Sequence, residues 1–286
     1  MKEIPLRKIR SQKEPAFSEN FSIRNITDVL SGTDMVQELH RHDFFFMLAL
    51  EKGRGKHEID FKPFEITGHS IFVMRPGQVH HLTLKAGSTG YLIGFQNDFY
   101  SSNAHSPGKL LKEASKRNHY LVDRGRFRKL YALLTDIFQE YNKKQDKYWD
   151  VIKASLAIFF IELARSTGNS QNTSNIKTLY AQERLDKFFE LLEANSSTHK
   201  KVSEYADMLN LSAYQLNAIT KRTLGKKCSD IIDEHIILES KRYLLATSNL
   251  VNQIAYRLGF EDVSYFIRFF KKHTGLTPDS FRNNSR

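Results

Sequence analysis

Two sets of residues in this 286-residue sequence have the types and spacing for chemistry. The first is His40-x-His42, with His80 farther along. On a β-strand, side chains two residues apart point to the same side, so His40 and His42 face one space together. Three imidazoles form a possible ligand set for a divalent metal. The second set lies on helix faces and occurs twice: Tyr214, Asn217, Ala218 and Lys221, then Ser264, Ile267, Arg268 and Lys271 at an offset of 50. At such positions Arg268 can donate two hydrogen bonds to a guanine edge, Asn217 can pair an adenine, and Ile267 can meet a thymine methyl. Lys221, Lys271 and Lys272 can reach phosphates, joined by Ser212 and the amides at the helix start. A polar helix face is commonly just solvated, but two matched faces favour groove contact. The lone cysteine, Cys228, excludes an intramolecular disulfide framework and a cysteine-based zinc site, and suits a reducing cytosol.

The histidines fall in a region of short strands. From Phe21 to about Phe99, aromatic and β-branched runs are broken by Gly, Pro and Asp: FFFMLAL, EKGRG, HEIDF, KPFEITGHS, IFVMRPGQ and VHHLTLKAGSTGYLIGF. Turn signals every 8–12 residues predict antiparallel strands in a barrel or sandwich. Alternation shows in His57, Ile59, Phe61 and in Leu82, Leu84. After Ser106 the period changes. Phe127, Leu130, Leu134, Ile137, Phe138 and Tyr141 predict one amphipathic helix over 126–141. Trp149, Ile152, Leu156, Phe159, Phe160 and Leu163 predict a second over 148–165. Those stripes either close the barrel core or meet a second copy of the chain, with the homodimer slightly favoured.

The second set lies in a helical repeat. STGNSQNTSN (166–175) has no aliphatic or aromatic side chain and reads as a linker. Beyond it, Tyr205–Leu211 superposes on Ile254–Phe260 at an offset of 49, Ala on Ala and Leu on Leu. Thr220–Gly225 superposes on Phe270–Gly275 at 50. Each copy has a small Ala for close helix crossing, Asn210 or Gly259 for a left-handed turn, and Ser212 or Asp262 as N-cap. Leu216 and Ile219, or Phe266, Phe269 and Phe270, then point inward. This is a helix-turn-helix, twice. Between the copies, Ser229 to about Leu245 predicts one helix of about 25 Å, a spacer for two recognition helices in successive major-groove segments.

Formal charge is +11, yet it is not concentrated in the helical part. Residues 1–178 hold 27 Lys and Arg against 19 Asp and Glu; residues 179–286 hold 16 against 13. Placement of charge, not its sum, has to carry a DNA-binding reading. No apolar stretch approaches the roughly 20 residues needed to cross a bilayer, and no apolar region follows the basic start MKEIPLRKIRSQKEP. The expectation is a cytoplasmic protein that contacts no membrane.

VSEYADMLNLSAYQLNAITKRTLGKKCSDII (202–232) and NQIAYRLGFEDVSYFIRFFKKHTGLTPDSFR (252–282) resemble the AraC/XylS family of bacterial transcription regulators, most specifically in IAYRLGF and SYFIRFFKKHTGLTP. The resemblance covers about 105 residues, from near Leu179 onward. It implies seven helices with two helix-turn-helix units on a long central helix, double-stranded promoter DNA and RNA polymerase as partners, and usually activation. It places base reading on Tyr214, Asn217 and Ala218, and on Val263, Ser264, Ile267 and Arg268. Ala218 departs from the Arg frequent in relatives, and Thr220 from a usual aromatic.

The N-terminal half is similar to a cupin-like sensor barrel, on HRHDFFFMLAL, G-x-G at 53–55 and RPGQVHH. His40, His42 and His80 stand where metal-binding cupins place ligands, but Phe45, Phe46 and Met47 occupy the stretch where a carboxylate is expected. Such barrels in regulators are mostly metal-free, so no metal and no cofactor are expected. His40, His42 and His80, with Phe44, Phe46, Phe72 and Tyr91, are instead expected to line a pocket for a small effector, apolar or aromatic-stacked, a sugar included. The expected fold is α+β: a cupin-like antiparallel β-barrel with flanking helices, then an all-α domain. The expected division is an arm (1–20), a sensing and dimerising domain (21–165, barrel about 21–100, helices about 126–165), a linker (166–178) and a DNA-binding domain (179–286). The chain reads as a regulator and not an enzyme; the alternative is a metal-dependent cupin enzyme with a regulatory DNA-binding tail.

Overall fold

The run Phe44–Leu50 is apolar at every position because the strand it builds is covered on both faces. In the computed structural model, which describes residues 6–7, 20–96, 99, 107–167 and 176–284, this strand is β4 (Phe45–Lys52). Phe46, Leu48 and Leu50 point into one core, Phe45, Met47 and Ala49 into another. Around it stand β1 (Leu6–Arg7), β2 (Phe21–Asn25), β3 (Met35–His42), β5 (Gly55–Ile59), β6 (Lys62–Ile66), β7 (Ser70–Met74), β8 (Val79–Leu84), β9 (Thr89–Phe95) and β10 (His119–Leu121). They form two five-stranded sheets, in the orders β1-β3-β8-β5-β6 and β10-β7-β4-β9-β2. The inner core takes Ile59, Leu82 and Leu84 from the first sheet and Phe46, Leu48, Phe72 and Leu92 from the second. Pairing is antiparallel throughout, apart from the parallel contact of β1 with β3.

The outer face of the second sheet is closed by helices. These are α2 (Pro107–Ala114), α3 (Arg124–Lys143) and α4 (Tyr148–Thr167); α1 (Ile26–Leu30) is a single short turn after β2. Phe127, Leu130, Leu134 and Ile137 of α3 and Ile152, Leu156, Phe159, Phe160 and Leu163 of α4 are buried with Met47, Ile71, Val73 and Ile93. The apolar stripe that slightly favoured a dimer is thus used on the barrel of its own chain. Burial removes each such side chain from water for roughly 1.5–3 kcal/mol.

Three local expectations are revised. Phe61 does not continue the alternation of His57 and Ile59: Asp60 and Phe61 have φ of 48° and 66° and make the two-residue turn joining β5 to β6. The barrel does not end near residue 100, since β10 adds to the second sheet beside β7. Of the arm over 1–20, Leu6–Arg7 form β1; residues 1–5 and 8–19 lie outside the described residues, as do 168–175 of the linker.

The remaining elements are seven helices among the described residues: α5 (Ile176–Asn195), α6 (Val202–Met208), α7 (Ala213–Leu224), α8 (Cys228–Ala246), α9 (Val251–Arg257), α10 (Val263–Thr274) and α11 (Pro278–Asn284). Backbone proximity divides the chain into two compact units that part between Asn169 and Ser170. The helical unit has its own core of Phe188, Tyr205, Leu216, Ile232, Leu244, Ile254, Phe266 and Phe270. No helix among the described residues is long and apolar enough to cross a membrane.

Candidate nucleic-acid interface and barrel histidine cluster

The two helix-turn-helix copies, α6–α7 and α9–α10, share their backbone geometry closely. In the first, the Leu211 N–H donates to the Ala206 carbonyl at 2.9 Å; in the second, the Phe260 N–H donates to the Ala255 carbonyl at 2.9 Å. Both alanines are buried, which lets the crossing helices approach. The turn reverses at Asn210 (φ 53°) and at Gly259 (φ 73°). Ser212 caps α7 by accepting from the Gln215 N–H, while the Gln215 side chain accepts from the Ser212 N–H at 2.8 Å. Asp262 caps α10 by accepting from the Ser264 N–H at 2.7 Å. Each recognition helix stops at a left-handed glycine, Gly225 or Gly275. Between the copies α8 runs 19 residues, about 28 Å at 1.5 Å per residue. Its C-terminal carbonyl end is held by Arg282, whose buried guanidinium donates to the carbonyls of Leu244 and Asn249.

The outward faces differ more than their backbones. On α10, Ser264, Arg268, Lys271 and Lys272 are exposed, and the Arg268 guanidinium makes a loose contact with the Asp262 carboxylate at 3.9 Å. Ile267 is half-buried, and Val263 packs partly against the helical core. On α7, Tyr214 is 83% exposed, and Ser212, Ala218 and Lys221 are exposed beside it. Asn217 is different. Its side-chain NH2 donates to the Ala213 carbonyl at 3.1 Å, and its Oδ1 accepts from the Cys228 N–H at 3.0 Å. The amide expected to pair an adenine ties the recognition helix to the first residue of α8. Thr220, buried where an aromatic is usual, donates its hydroxyl to the Asn217 carbonyl.

In the barrel, β3 and β8 bring three histidines together, with His40 directly opposite His80. The Nε2 atoms of His40, His42 and His80 are 2.9–3.1 Å apart. His57 joins from β5, its Nε2 lying 2.8 Å from Nδ1 of His80. All four rings are buried. Burial foremost lowers their basicity, His40 to about 4 and His57 to about 3, with His42 and His80 also held well below the usual value. They are neutral imidazoles near pH 7. His42 stacks on Phe46 at 5.1 Å and lies 4.5 Å from Phe44, while Phe72 packs on His57 at 4.8 Å, so these three phenylalanines do line the same interior. Tyr91 does not. Strand alternation turns it outward to the helices, where its hydroxyl donates to Thr135 Oγ1 and its ring packs on Tyr131 and Phe138; Leu92 is the inward neighbour.

Two family models match these two regions: a helix-turn-helix domain over residues 205–284, and an AraC-like ligand binding domain over residues 31–148. Together they take in more than half of the chain, and they fall on the duplicated helices and on the barrel. The chain belongs to the AraC family of transcriptional regulators. Among its relatives, the HTH-type transcriptional activator RhaR of Enterobacter sp. (strain 638) is 22% identical over 256 residues, covering 86% of this chain and 87% of that protein. The bifunctional transcriptional activator/DNA repair enzyme AdaA of Bacillus subtilis (strain 168) is 30% identical over 104 residues, 36% of this chain and 49% of that protein. The unsaturated-fatty-acid-bound ToxT structure from Vibrio cholerae is 16% identical, covers 93% of this chain and 95% of that chain, and has a TM-score of 0.43.

As an AraC-family member the chain is an α+β regulator with a DNA-binding helical unit and an AraC-like ligand-binding unit. Two further residues belong to these sites. Tyr265 stands exposed on α10 beside Ser264; at an offset of 50 it aligns with Gln215, which the outward set also omitted. His57 alternates with Ile59 on β5, and that alternation is the sequence signal that turns it inward.

Proposed function

We propose that this AraC-family chain is an activator of transcription whose α7 and α10 enter successive major-groove segments of a promoter. The reading rests on one observation above all: a turn, cap and helix stop repeated at an offset of 49–50 residues, each time leaving an exposed face, with Arg268 nearly unpaired on the second. Base reading falls to Arg268, Ser264 and Ile267, with Tyr214 and Ala218 contributing on α7 and Val263 at the edge. Ser212, Lys221, Lys271 and Lys272 take phosphates. Asn217 is a positioning residue for α8, since both ends of its amide are already engaged. The relatives of near-full length are named as activators, which supports recruitment of RNA polymerase as the outcome and a regulator, not a metal-dependent enzyme, as the reading.

In this proposal residues 179–286 bind DNA in the cytoplasm, residues 166–178 link, and residues 21–165 sense a small effector and dimerise. The interior around Phe44, Phe46, Phe72, His40, His42 and His80 is the effector region. A dimer is supported by Val151, Ala154 and Ile158, which leave a partly apolar strip of α4 exposed. Genome-wide mapping of bound sites, followed by affinity measured against salt on a recovered site, tests the reading. Log K is expected to fall linearly with log salt, by about 0.9 for each phosphate neutralised. An absence of enriched sites, or salt-independent binding, would refute it.

A further inference from the structure

The barrel interior holds a side-chain group that the DNA-binding reading does not use. The Nε2 atoms of His40, His42 and His80 make a nearly equilateral triangle with sides of 2.9–3.1 Å. An ion about 2.1 Å from each nitrogen subtends N–metal–N angles of about 90° at that spacing, as three ligands on one face of an octahedron do. The histidines are the group among the described residues whose ligand atoms converge this way, and no carboxylate belongs to it.

At His40, hydrogen bonding fixes which ring nitrogen is free. His40 Nδ1 lies 2.7 Å from the Glu38 carbonyl, which only accepts, so that nitrogen carries the proton and Nε2 presents its lone pair inward. Nδ1 of His80 lies 2.8 Å from Nε2 of His57, and with His80 as the donor its Nε2 is free in the same way. That is the outer partner a ligating histidine needs to hold its tautomer and ring orientation. Stacking on Phe46 sets the ring of His42 in place. Among the described residues, Nδ1 of His42 and Nδ1 of His57 are buried with no hydrogen-bond partner, so no outside contact sets the tautomer of either ring. One proton shared between two of the Nε2 atoms also leaves the third without a partner on that triangle.

We propose that this chain binds one divalent first-row transition-metal ion through Nε2 of His40, His42 and His80, with His57 as the positioning residue behind His80. Three imidazoles select zinc, iron, cobalt, nickel or copper over magnesium and calcium, which take oxygen donors.

The test uses the full-length chain without an affinity tag, stripped with EDTA and titrated with Co2+ in the absence of DNA. The expected result is visible ligand-field absorption that saturates at one ion per chain. His42→Gln should abolish those bands, and His57→Gln should weaken the affinity 10- to 100-fold while keeping the one-to-one stoichiometry. The wild-type protein loaded with Cu2+ should show superhyperfine splitting from three nitrogens in its electron paramagnetic resonance spectrum, a readout that holds even if the buried variants fail to fold. No bands in the wild type, bands unchanged by His42→Gln, or splitting from fewer than three nitrogens would overturn the proposal. None of these outcomes depends on whether the helical unit binds DNA.

Discussion

The two helix-turn-helix copies keep one backbone and carry two different surfaces. Both have the buried alanine, the 2.9 Å bond across the turn, the side-chain cap and the glycine stop. Of the outward positions on the recognition helix only Lys221 and Lys271 are alike, and two of the differences matter most. Ala218 corresponds to Arg268, and Asn217, tied to α8, corresponds to Ile267. Duplication therefore preserved what makes the fold and let the contacting residues diverge. The second copy carries an exposed guanidinium, in loose contact with Asp262 at 3.9 Å, and a cluster of basic residues at the end of its helix. The first offers an exposed tyrosine, one lysine on the outward set and a helix locked to the central spacer. In the proposed reading, base discrimination is concentrated on α10, and α7 mainly sets register.

The turns themselves provide the largest expected effect. A Cβ on Gly259 would lie 1.6 Å from the backbone oxygen of Ser197, at a φ of 73° where L residues are already strained. Strain and overlap together put Gly259→Ala at about 3 kcal/mol of lost stability in the helical unit. Asn210, at the equivalent turn, is already an L residue with φ 53°, so Asn210→Gly should change stability by under about 1 kcal/mol. Urea unfolding of the two variants checks this. Equal losses would mean that the turns are interchangeable and that the close approach at Gly259 contributes nothing.

Next in size is a paired measurement on the helix faces. Arg268→Ala should cost about 1–3 kcal/mol of DNA affinity at a single base pair and relax the preference there, with stability unchanged. Asn217→Ala should do the reverse. It strips the Cys228 N–H of its partner, for about 1–3 kcal/mol of unfolding free energy, while the operator preference stays as it was. Binding profiles over single-base variants of a recovered site separate the two outcomes. A shifted preference in Asn217→Ala that retains full stability would reverse the assignment of roles.

How much of this was legible in the sequence follows from what each residue answers to. The duplicated unit was readable because its Ala, turn, cap and glycine positions are set by local backbone rules that act within a dozen residues. Arg282 and the engagement of Asn217 were not, because their partners, Leu244, Asn249 and Cys228, lie outside any local pattern. The barrel strands were readable as strands, but the parity of β9 was not. Tyr91 and Leu92 are both apolar, since one faces the helices and the other the inner core, and a strand buried on both sides carries no polar alternation to mark its faces. The same reasoning explains the dimer expectation: an amphipathic stripe states that α3 and α4 must be covered, not by what. The elements β10 and α2 escaped because three residues of strand and eight of helix give too little periodicity. The histidine triangle was half legible. Strand spacing paired His40 with His42, while His57 needed the register of β5 against β8 to enter the group.

The smallest effect bears on whether the first copy is an anchor. Lys271 and Lys272 follow Arg268 on the exposed end of α10, and Lys221 holds the equivalent place on α7. Each neutralises about one phosphate if it contacts the backbone, so each removal should lower the slope of log K against log salt by about 0.9. At fixed salt the cost should be small and the same for specific and non-specific DNA, because phosphate contacts carry no sequence information. Lys221→Ala and Lys272→Ala are therefore expected to behave alike, despite the difference between the two helices in base reading. If Lys221→Ala left the slope untouched while Lys272→Ala lowered it, α7 would not be seated on the phosphates at all, and a register-setting role for the first copy would have to be abandoned.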